Sequence, residues 1–320
     1  MTTPRIDVHT HFLPDFYCDA LVDAGQSPPD GIKGLPEWSE QAALSTMDRL
    51  GVTTSMLSIS SPGTYFGDPG KAAALSRAVN EEAARLRERN PGRFGFFASL
   101  PLPSIDDSLD ELRFALDELH ADGIVVETNH EGMYLGDERL EQIYAEIASR
   151  SSVVFIHPAT AHNGAHLGLG YPRPMLEFMF ETTRSVTNLV LSGMLQRHSG
   201  ARFIVPHAGA GLSVFANRVE LLLPILTVPG TSTPPSLRAA LKDLHFDLAG
   251  APVDELLGAL LAVADPSKIH YGSDYPFTPA DAGVALLDRL EHTELLDSEL
   301  KHRIFTENPL RLFPQLATAV

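Results

Sequence analysis

The segment Arg5–His11 reads RIDVHTH and sets the pattern by which the rest of the chain is interpreted. It is short, apolar in its first half and carries β-branched residues, which is typical of a parallel strand covered by helices. Seven more runs of this kind follow it: Thr54–Ser60, Phe94–Leu100, Gly123–Asn129, Val153–Pro158, Phe203–Ala208, Leu244–Gly250 and Ile269–Tyr275. The sequence therefore predicts eight buried strands.

Stretches with helical periodicity separate these runs. Lys71–Asn90 places Ala, Leu and Val three and four residues apart and ends at the breaker Asn90-Pro91-Gly92. Similar patterns cover Ser108–Ala121, Arg139–Arg150, Glu177–His198, Leu212–Leu226, Asp254–Val263, Ala280–His292 and Ser298–Phe313. Because parallel strands need helical crossovers, eight strand–helix units predict an α/β fold, a (β/α)8 TIM barrel, formed as a single domain by residues 1–320.

Two connections are longer than the others. Leu13–Pro36 follows the first predicted strand, and Ala159–Pro174 follows the fifth. Loops of this length in a compact domain usually carry function. Since both follow a strand, they belong to the carboxyl face of the barrel, where barrel enzymes place their chemistry.

Composition excludes several classes of protein. A formal charge of −17 over 320 residues disfavours nucleic-acid binding, which depends on Lys and Arg. Cys18 is the only cysteine, so neither an intrachain disulfide nor a cysteine-based zinc cage is possible. The first residues lack the apolar region of a signal peptide, and no segment approaches about 18 uninterrupted apolar residues. We therefore expect a cytoplasmic protein with no membrane partner.

Five polar residues are predicted to meet at one mouth of the barrel. His9 and His11 lie two apart on the first strand, and the two-residue period of a strand turns both imidazoles to one face. His157, His207 and Asp274 come at the ends of the fifth, sixth and eighth predicted strands. Carboxyl ends of barrel strands share one rim, so these side chains should converge there.

A pair of histidines two residues apart is weak evidence alone, because a single His or Asp at a strand end is more often a hydrogen-bonded structural residue. Several imidazoles and a carboxylate buried together are costly without a partner, and a divalent cation compensates for that cost. Nitrogen and oxygen ligands without thiolate suit Zn, Mn, Fe or Co. We predict one divalent metal ion, with Zn and Mn as the leading candidates.

Four motifs carry a family resemblance: DVHTHFLP, FIHPAT, PHAGAG and YGSDYPF, in this order along the chain. They resemble the amidohydrolase superfamily, and within it the aminocarboxymuconate-semialdehyde decarboxylase-like group. Gly170–Leu195 and Thr128–Tyr144 are similar to its 6-methylsalicylate decarboxylase-like members. The resemblance implies that His207 is an unligated catalytic histidine. The metal ligands that it implies are His9, His11, His157 and Asp274.

The chain departs from the group at one place and matches it at another. The semialdehyde decarboxylases proper carry arginines before the Met-Asp of their first helix, whereas residues 41–48 here read QAALSTMD. The dicarboxylate substrate of those enzymes is therefore not expected. A second family arginine, offered to the neighbouring subunit's site, is matched by Arg218, eleven residues after His207. The resemblance thus implies a homodimer.

The predicted reaction is the non-oxidative decarboxylation of a small hydroxylated aromatic acid of the salicylate type. The cation would chelate the carboxylate and the ortho hydroxyl. Protonation of the ring carbon could come from Asp274 or from water relayed through His207. Asn129, Arg218 and Phe277 are the predicted substrate contacts.

Two other functions fit the same residues. A hydrolase of an amide, lactone or similar bond would use a cation that lowers the pKa of bound water towards about 7, with Asp274 accepting the proton. A non-catalytic binding or scaffold protein would need the histidines to be structural. The apolar wall predicted for the first helix favours a ring substrate and hence the decarboxylase.

Overall fold

Eight parallel strands form the central sheet of the computed structural model, which describes residues 4–164, 166–226, 234–250 and 254–318. The strands pair in chain order. They are β1 (Ile6–His11), β2 (Thr54–Ser58), β3 (Phe94–Ser99), β4 (Gly123–Glu127), β5 (Val153–His157), β6 (Arg202–Val205), β7 (His245–Asp247) and β8 (Ile269–His270).

Backbone hydrogen bonds close this sheet into a barrel. The amide of Val8 donates to the carbonyl of Tyr271 at 3.0 Å, and that of His11 donates to Tyr275 at 2.7 Å. Thr10 and Tyr275 also form a parallel bridge. The chain that follows β8 therefore completes the ring against β1, and the predicted (β/α)8 barrel is confirmed.

Helices follow the strands around the outside of the barrel. They are α1 (Asp15–Asp23), α2 (Glu40–Leu50), α3 (Pro69–Arg89), α4 (Ile105–Asp117), α5 (Glu141–Ser149), α6 (Glu177–Leu191), α7 (Met194–Arg197), α8 (Leu212–Leu226), α9 (Leu237–Ala240), α10 (Glu255–Leu261), α11 (Ala280–His292), α12 (Ser298–His302) and α13 (Asn308–Leu312). Shorter helical turns are Pro29–Gly31, Glu138–Leu140, Arg173–Met175, His207–Gly209, Pro266–Lys268, Arg303–Glu307 and Pro314–Thr318, and a small antiparallel hairpin pairs Asn129–His130 with Met133–Tyr134.

Several boundaries differ from the sequence prediction. The long first loop contains α1, which forms because Tyr17 and Leu21 give it a buried face. The start of α3 lies two residues earlier than predicted, since Asp68 accepts the amide of Lys71 as an N-cap. The predicted eighth strand keeps strand geometry only over Ile269–His270, so its remaining residues form a loop at the mouth.

Apolar residues fill the inside of the barrel below its mouth. Phe97 and Phe155 stack there with ring centroids 5.2 Å apart. Phe313, just after α13, lies 5.9 Å from Phe97 and is completely buried. It packs in one cluster with Ile6 and Val153, the first residues of their strands. The C-terminal segment therefore closes the amino end of the barrel, and the opposite end is left for polar residues.

The segment His207–Leu226, which includes α8, is long and apolar enough to meet a length-and-composition test for a membrane-spanning helix, and 22% of its most apolar window is buried. One helix that passes this test is weak evidence for a membrane span. In this fold α8 is the crossover helix after β6, and it packs beside α9. Its exposed side chains are largely apolar: Val214, Phe215, Leu221, Ile225 and Leu226. We call these five residues the α8 apolar face.

Replacing Phe313 by alanine should lower the free energy of unfolding by about 3–5 kcal/mol, because the change leaves a cavity in the closed end of the barrel. Denaturant-induced unfolding measures this loss. Phe16→Ala is the matched control, since Phe16 is 39% exposed, and it should cost about 0.5 kcal/mol or less. Equal losses for the two variants would contradict the assignment of Phe313 to the core.

Candidate metal centre

Four side chains form a tight group at the mouth of the barrel: His9, His11, His157 and Asp274. Each offers one nitrogen or oxygen, and these atoms all lie within 4.8 Å of one another. The first two come from β1, the third ends β5, and Asp274 lies in the loop after β8. The three imidazoles are buried, and the Asp274 side chain is 18% exposed. The structure thus brings together all four predicted ligands.

Hydrogen bonds on the outer side of two imidazoles fix where their lone pairs point. Nδ1 of His9 lies 2.9 Å from a carboxylate oxygen of Asp247, which can only accept when ionised. Nδ1 of His11 lies 3.0 Å from the hydroxyl of Ser58, whose proton is donated to the carbonyl of Thr10. Both Nδ1 atoms therefore carry the proton, and both Nε2 atoms carry a lone pair.

These two lone pairs face each other. Nε2 of His9 and Nε2 of His11 are 3.1 Å apart, and Oδ1 of Asp274 lies 3.5 Å and 3.3 Å from them. Three acceptors that converge without a donor repel one another in a buried site. A divalent cation at their centre turns this repulsion into coordination, and the nitrogen and oxygen donors suit such an ion. The residues therefore fit the predicted metal.

Asp274 also reaches past the metal ligands. Its Oδ2 lies 3.8 Å from Nε2 of His207. Burial raises the pKa of Asp274, but the neighbouring imidazoles of His11 and His207 outweigh burial and hold the pKa well below its usual value. Asp274 is therefore an ionised carboxylate at neutral pH, shared between the metal group and the fourth histidine.

His207 stands beside the group and is not one of its four donors. It follows β6 in a left-handed backbone conformation, with φ 56°, and its ring is largely buried. Its amide donates to Asp247 at 3.0 Å. His207 therefore lies at the site but outside the group of four donors, and the catalytic role that the resemblance implies for it stays a prediction.

The three predicted substrate contacts lie in different environments. Asn129 is buried, and its amide nitrogen donates to the carbonyl of Thr160 at 3.1 Å and to Glu181 at 3.2 Å. Phe277 lies with its ring centroid 5.5 Å from that of His11. Arg218 is exposed on α8, and no ion pair joins it to any residue that the structure describes. Of these three residues, Phe277 therefore has a contact with a member of the metal group among the described residues.

A cavity of about 450 Å³ opens on the same rim, among the loops that follow β1 to β5. Ser61 and Ala159 line it. Ser61 follows Ser60, which contacts His157, and Ala159 lies two residues after His157. Ser60 places its hydroxyl 3.4 Å from Nε2 of His157. Asn129 lines the cavity too, so its hydrogen bonds shape this wall. Cavities of this size hold small organic ligands.

Sequence reasoning missed two residues of the site. Phe178, at the start of α6, lies 6.2 Å from His157 between ring centroids and forms a second aromatic wall. Asp247 ends β7 and contacts His9. The rule that selected His157, a polar residue at a strand end, did not select Asp247, because the predicted run continued to Gly250 whereas the strand ends at Asp247. No comparable signal existed for Phe178, because its approach depends on how the long fifth loop folds back.

Comparison with known proteins agrees with this architecture. The amidohydrolase family model matches residues 6–315. A 6-methylsalicylic acid decarboxylase of Aspergillus aculeatus is 38% identical over 98% of this chain and 97% of its own. A solved amidohydrolase II structure superposes with a TM-score of 0.90 at 33% identity and covers 97% of this chain and 99% of its own. The chain therefore belongs to the amidohydrolase family.

A more distant structure shows the same fold with a metal and an inhibitor. It is a dihydroxybenzoic acid decarboxylase from Polaromonas, solved with bound manganese and 2-nitroresorcinol. Its TM-score is 0.83 at 20% identity, and the alignment covers 98% of this chain and 97% of that one. At this identity the likeness is one of fold.

Replacing His157 by alanine should remove a ligand and reduce the metal content from about one ion per chain to near zero after dialysis. Elemental analysis of the purified protein measures this content. His292→Ala is the control, because the His292 side chain is 75% exposed and far in sequence from the four ligands. A His157→Ala protein that keeps its full metal content would contradict the assignment.

Proposed function

We propose that this protein is a metal-dependent, non-oxidative decarboxylase of a small hydroxylated aromatic acid of the 6-methylsalicylate type. The observation that carries the proposal is the group of four donors with a separate histidine beside it. A sequence identity of 38% to a 6-methylsalicylic acid decarboxylase over nearly the whole chain supports this chemistry. Zn and Mn both suit the donor set, and we place the enzyme in the cytoplasm as one catalytic domain.

A divalent cation held by the four ligands supplies positive charge that can bind a carboxylate together with an ortho hydroxyl. The protein's own residues complete the site. Phe277 and Phe178 approach the imidazoles of His11 and His157 from two sides. Apolar rings at these positions would hold an aromatic substrate and exclude water from its face.

The chemical step requires a proton at the ring carbon that bears the carboxylate. We assign its transfer to Nε2 of His207, which lies 3.8 Å from Oδ2 of Asp274. Because Asp274 is ionised, it can orient this imidazole towards the site. Once the ring carbon has accepted the proton, the bond to the carboxylate breaks, its electron pair restores the aromatic ring, and carbon dioxide leaves.

We therefore expect purified, metal-loaded protein to release carbon dioxide from 6-methylsalicylate or a related dihydroxybenzoate. His207→Gln should lower kcat by about 10²–10⁴-fold, the usual contribution of a positioned acid or base, and should keep the metal. His302→Gln is the control, since that side chain is 45% exposed. Hydrolysis of lactones or amides in a parallel panel, without carbon dioxide release, would instead support a hydrolase.

We also propose that the enzyme is a homodimer that pairs through the α8 apolar face. Gly211 donates its amide to the hydroxyl of Thr183 at 2.9 Å, which places α8 beside α6. Phe180 on α6 and Met175 just before it are exposed as well. Apolar side chains that adjoin in this way favour burial against another protein surface. Arg218 projects from the same helix and can reach the partner's site.

A charged residue in this face should separate the subunits. Leu221→Glu is expected to reduce the solution mass from that of two chains to that of one, because an unpaired carboxylate would be buried in the interface. Multi-angle light scattering measures the mass. Val22→Glu is the matched control, since Val22 is 62% exposed on α1, outside this face. A Leu221→Glu protein with unchanged mass would rule out this surface as the interface.

A further inference from the structure

Asp247 is a buried carboxylate at the mouth that the proposed reaction leaves without a role. It is the last residue of β7 and is 0% exposed. It is not one of the four metal donors. A carboxylate so deeply buried is costly unless all its oxygens are hydrogen-bonded. Its contacts therefore indicate what it does.

One oxygen of Asp247 controls His9. Oδ2 lies 2.9 Å from Nδ1 of His9, on the side of the ring away from the metal group. A carboxylate there accepts the Nδ1 proton and leaves Nε2 with a free lone pair. Gly272 makes this approach possible, because a Cβ at that position would lie 2.8 Å from the Cβ of His9 and 3.3 Å from that of Asp247.

The other oxygen controls His207. Oδ1 accepts the amide of His207 at 3.0 Å and the amide of Ala249 at 3.0 Å. The left-handed backbone of His207 is unfavourable for a residue with a side chain and needs such an anchor. Gly250 leaves room for the ring, since a Cβ there would lie 2.7 Å from Cδ2 of His207.

We propose that Asp247 is a positioning residue that acts on both halves of the site: it sets the tautomer of the metal ligand His9 and fixes the backbone that carries His207. The effect on metal affinity follows from the ligand geometry alone. The effect on turnover rests on the proposed decarboxylase function. Two different substitutions of Asp247 can separate the effect on metal affinity from the effect on turnover, because each effect uses a different carboxylate oxygen.

Asp247→Asn separates them. The two backbone amides require the Asn oxygen on their side, so its NH2 group would face Nδ1 of His9. Nδ1 would then accept, and the proton would move to Nε2, where it competes with the metal. We expect the dissociation constant for Mn²⁺ to rise by about 10–100-fold. At saturating Mn²⁺, kcat should fall less than it does when the whole carboxylate is removed, because the backbone contact of His207 is kept.

Asp247→Ala removes both contacts. It should weaken Mn²⁺ binding similarly and also lower kcat at saturating Mn²⁺ by about 10–100-fold, because His207 loses its anchor. Asp265→Asn is the matched control for the chemical change, since the carboxylate of Asp265 caps a short helical turn away from the site. Free Mn²⁺ measured by electron paramagnetic resonance gives the affinity without any substrate.

The outcomes discriminate. An Asp247→Asn protein that binds Mn²⁺ as tightly as the parent would overturn the proposal, and so would one that loses turnover at saturating metal as severely as Asp247→Ala. Wild-type protein that binds Mn²⁺ but decarboxylates nothing would refute the proposed function and leave the affinity test intact. Should the variants not fold, nitrogen NMR of the zinc-loaded parent with labelled histidine reads the His9 tautomer directly, and a proton on Nε2 would refute the proposal.

Discussion

The site depends on one electrostatic constraint: three acceptor atoms from His9, His11 and Asp274 converge where no donor is available. The two Nε2 atoms are 3.1 Å apart. Neither carries a proton, because Asp247 and Ser58 accept the protons on the Nδ1 atoms at the opposite side of each ring. Such an arrangement is stable only around a positive charge. The closure of the barrel supplies this geometry, since hydrogen bonds between β1 and the loop after β8 bring Asp274 to the first strand.

Residues at the mouth of the barrel adopt unfavourable backbone conformations. His207 and Asp274 both have positive φ, 56° and 61°, and Ala208 and Ala210 do as well. Residues in such conformations cost of order 1–3 kcal/mol each and persist where the surroundings determine them strongly. Here the surroundings are specific: the amide of Asp274 donates to the carbonyl of His9, and that of His207 donates to Asp247. Positive φ thus recurs around the residues assigned to the chemistry, and described residues away from the metal group, such as His120 and Ser151, have it too.

The outer surface has a different organisation from the mouth. The net charge of −17 favours a hydrated surface, because acidic side chains prefer contact with water. The α8 apolar face interrupts this pattern, and the same helix carries Arg218. This helix also meets a length-and-composition test for a membrane span. It packs against α9 and α10 of the barrel, and the homodimer proposed above would cover its exposed face.

The sequence by itself predicted the eight strands, the barrel and five polar residues at one mouth, because strand ends share one rim and the two-residue period of β1 turns both histidines inward. The family resemblance selected the four proposed ligands among those five residues. The sequence did not reveal α1, whose buried face depends on tertiary packing, or the short β8, whose last residues leave strand geometry to carry Asp274. Only the tertiary structure decided what each polar residue contacts. Asn129 is engaged by Thr160 and Glu181, whereas Asp247 holds His9, and these pairings join positions far apart in the chain. The periodicity of a strand predicts which face a side chain lies on, but its hydrogen-bond partner depends on how distant segments of the chain come together on folding.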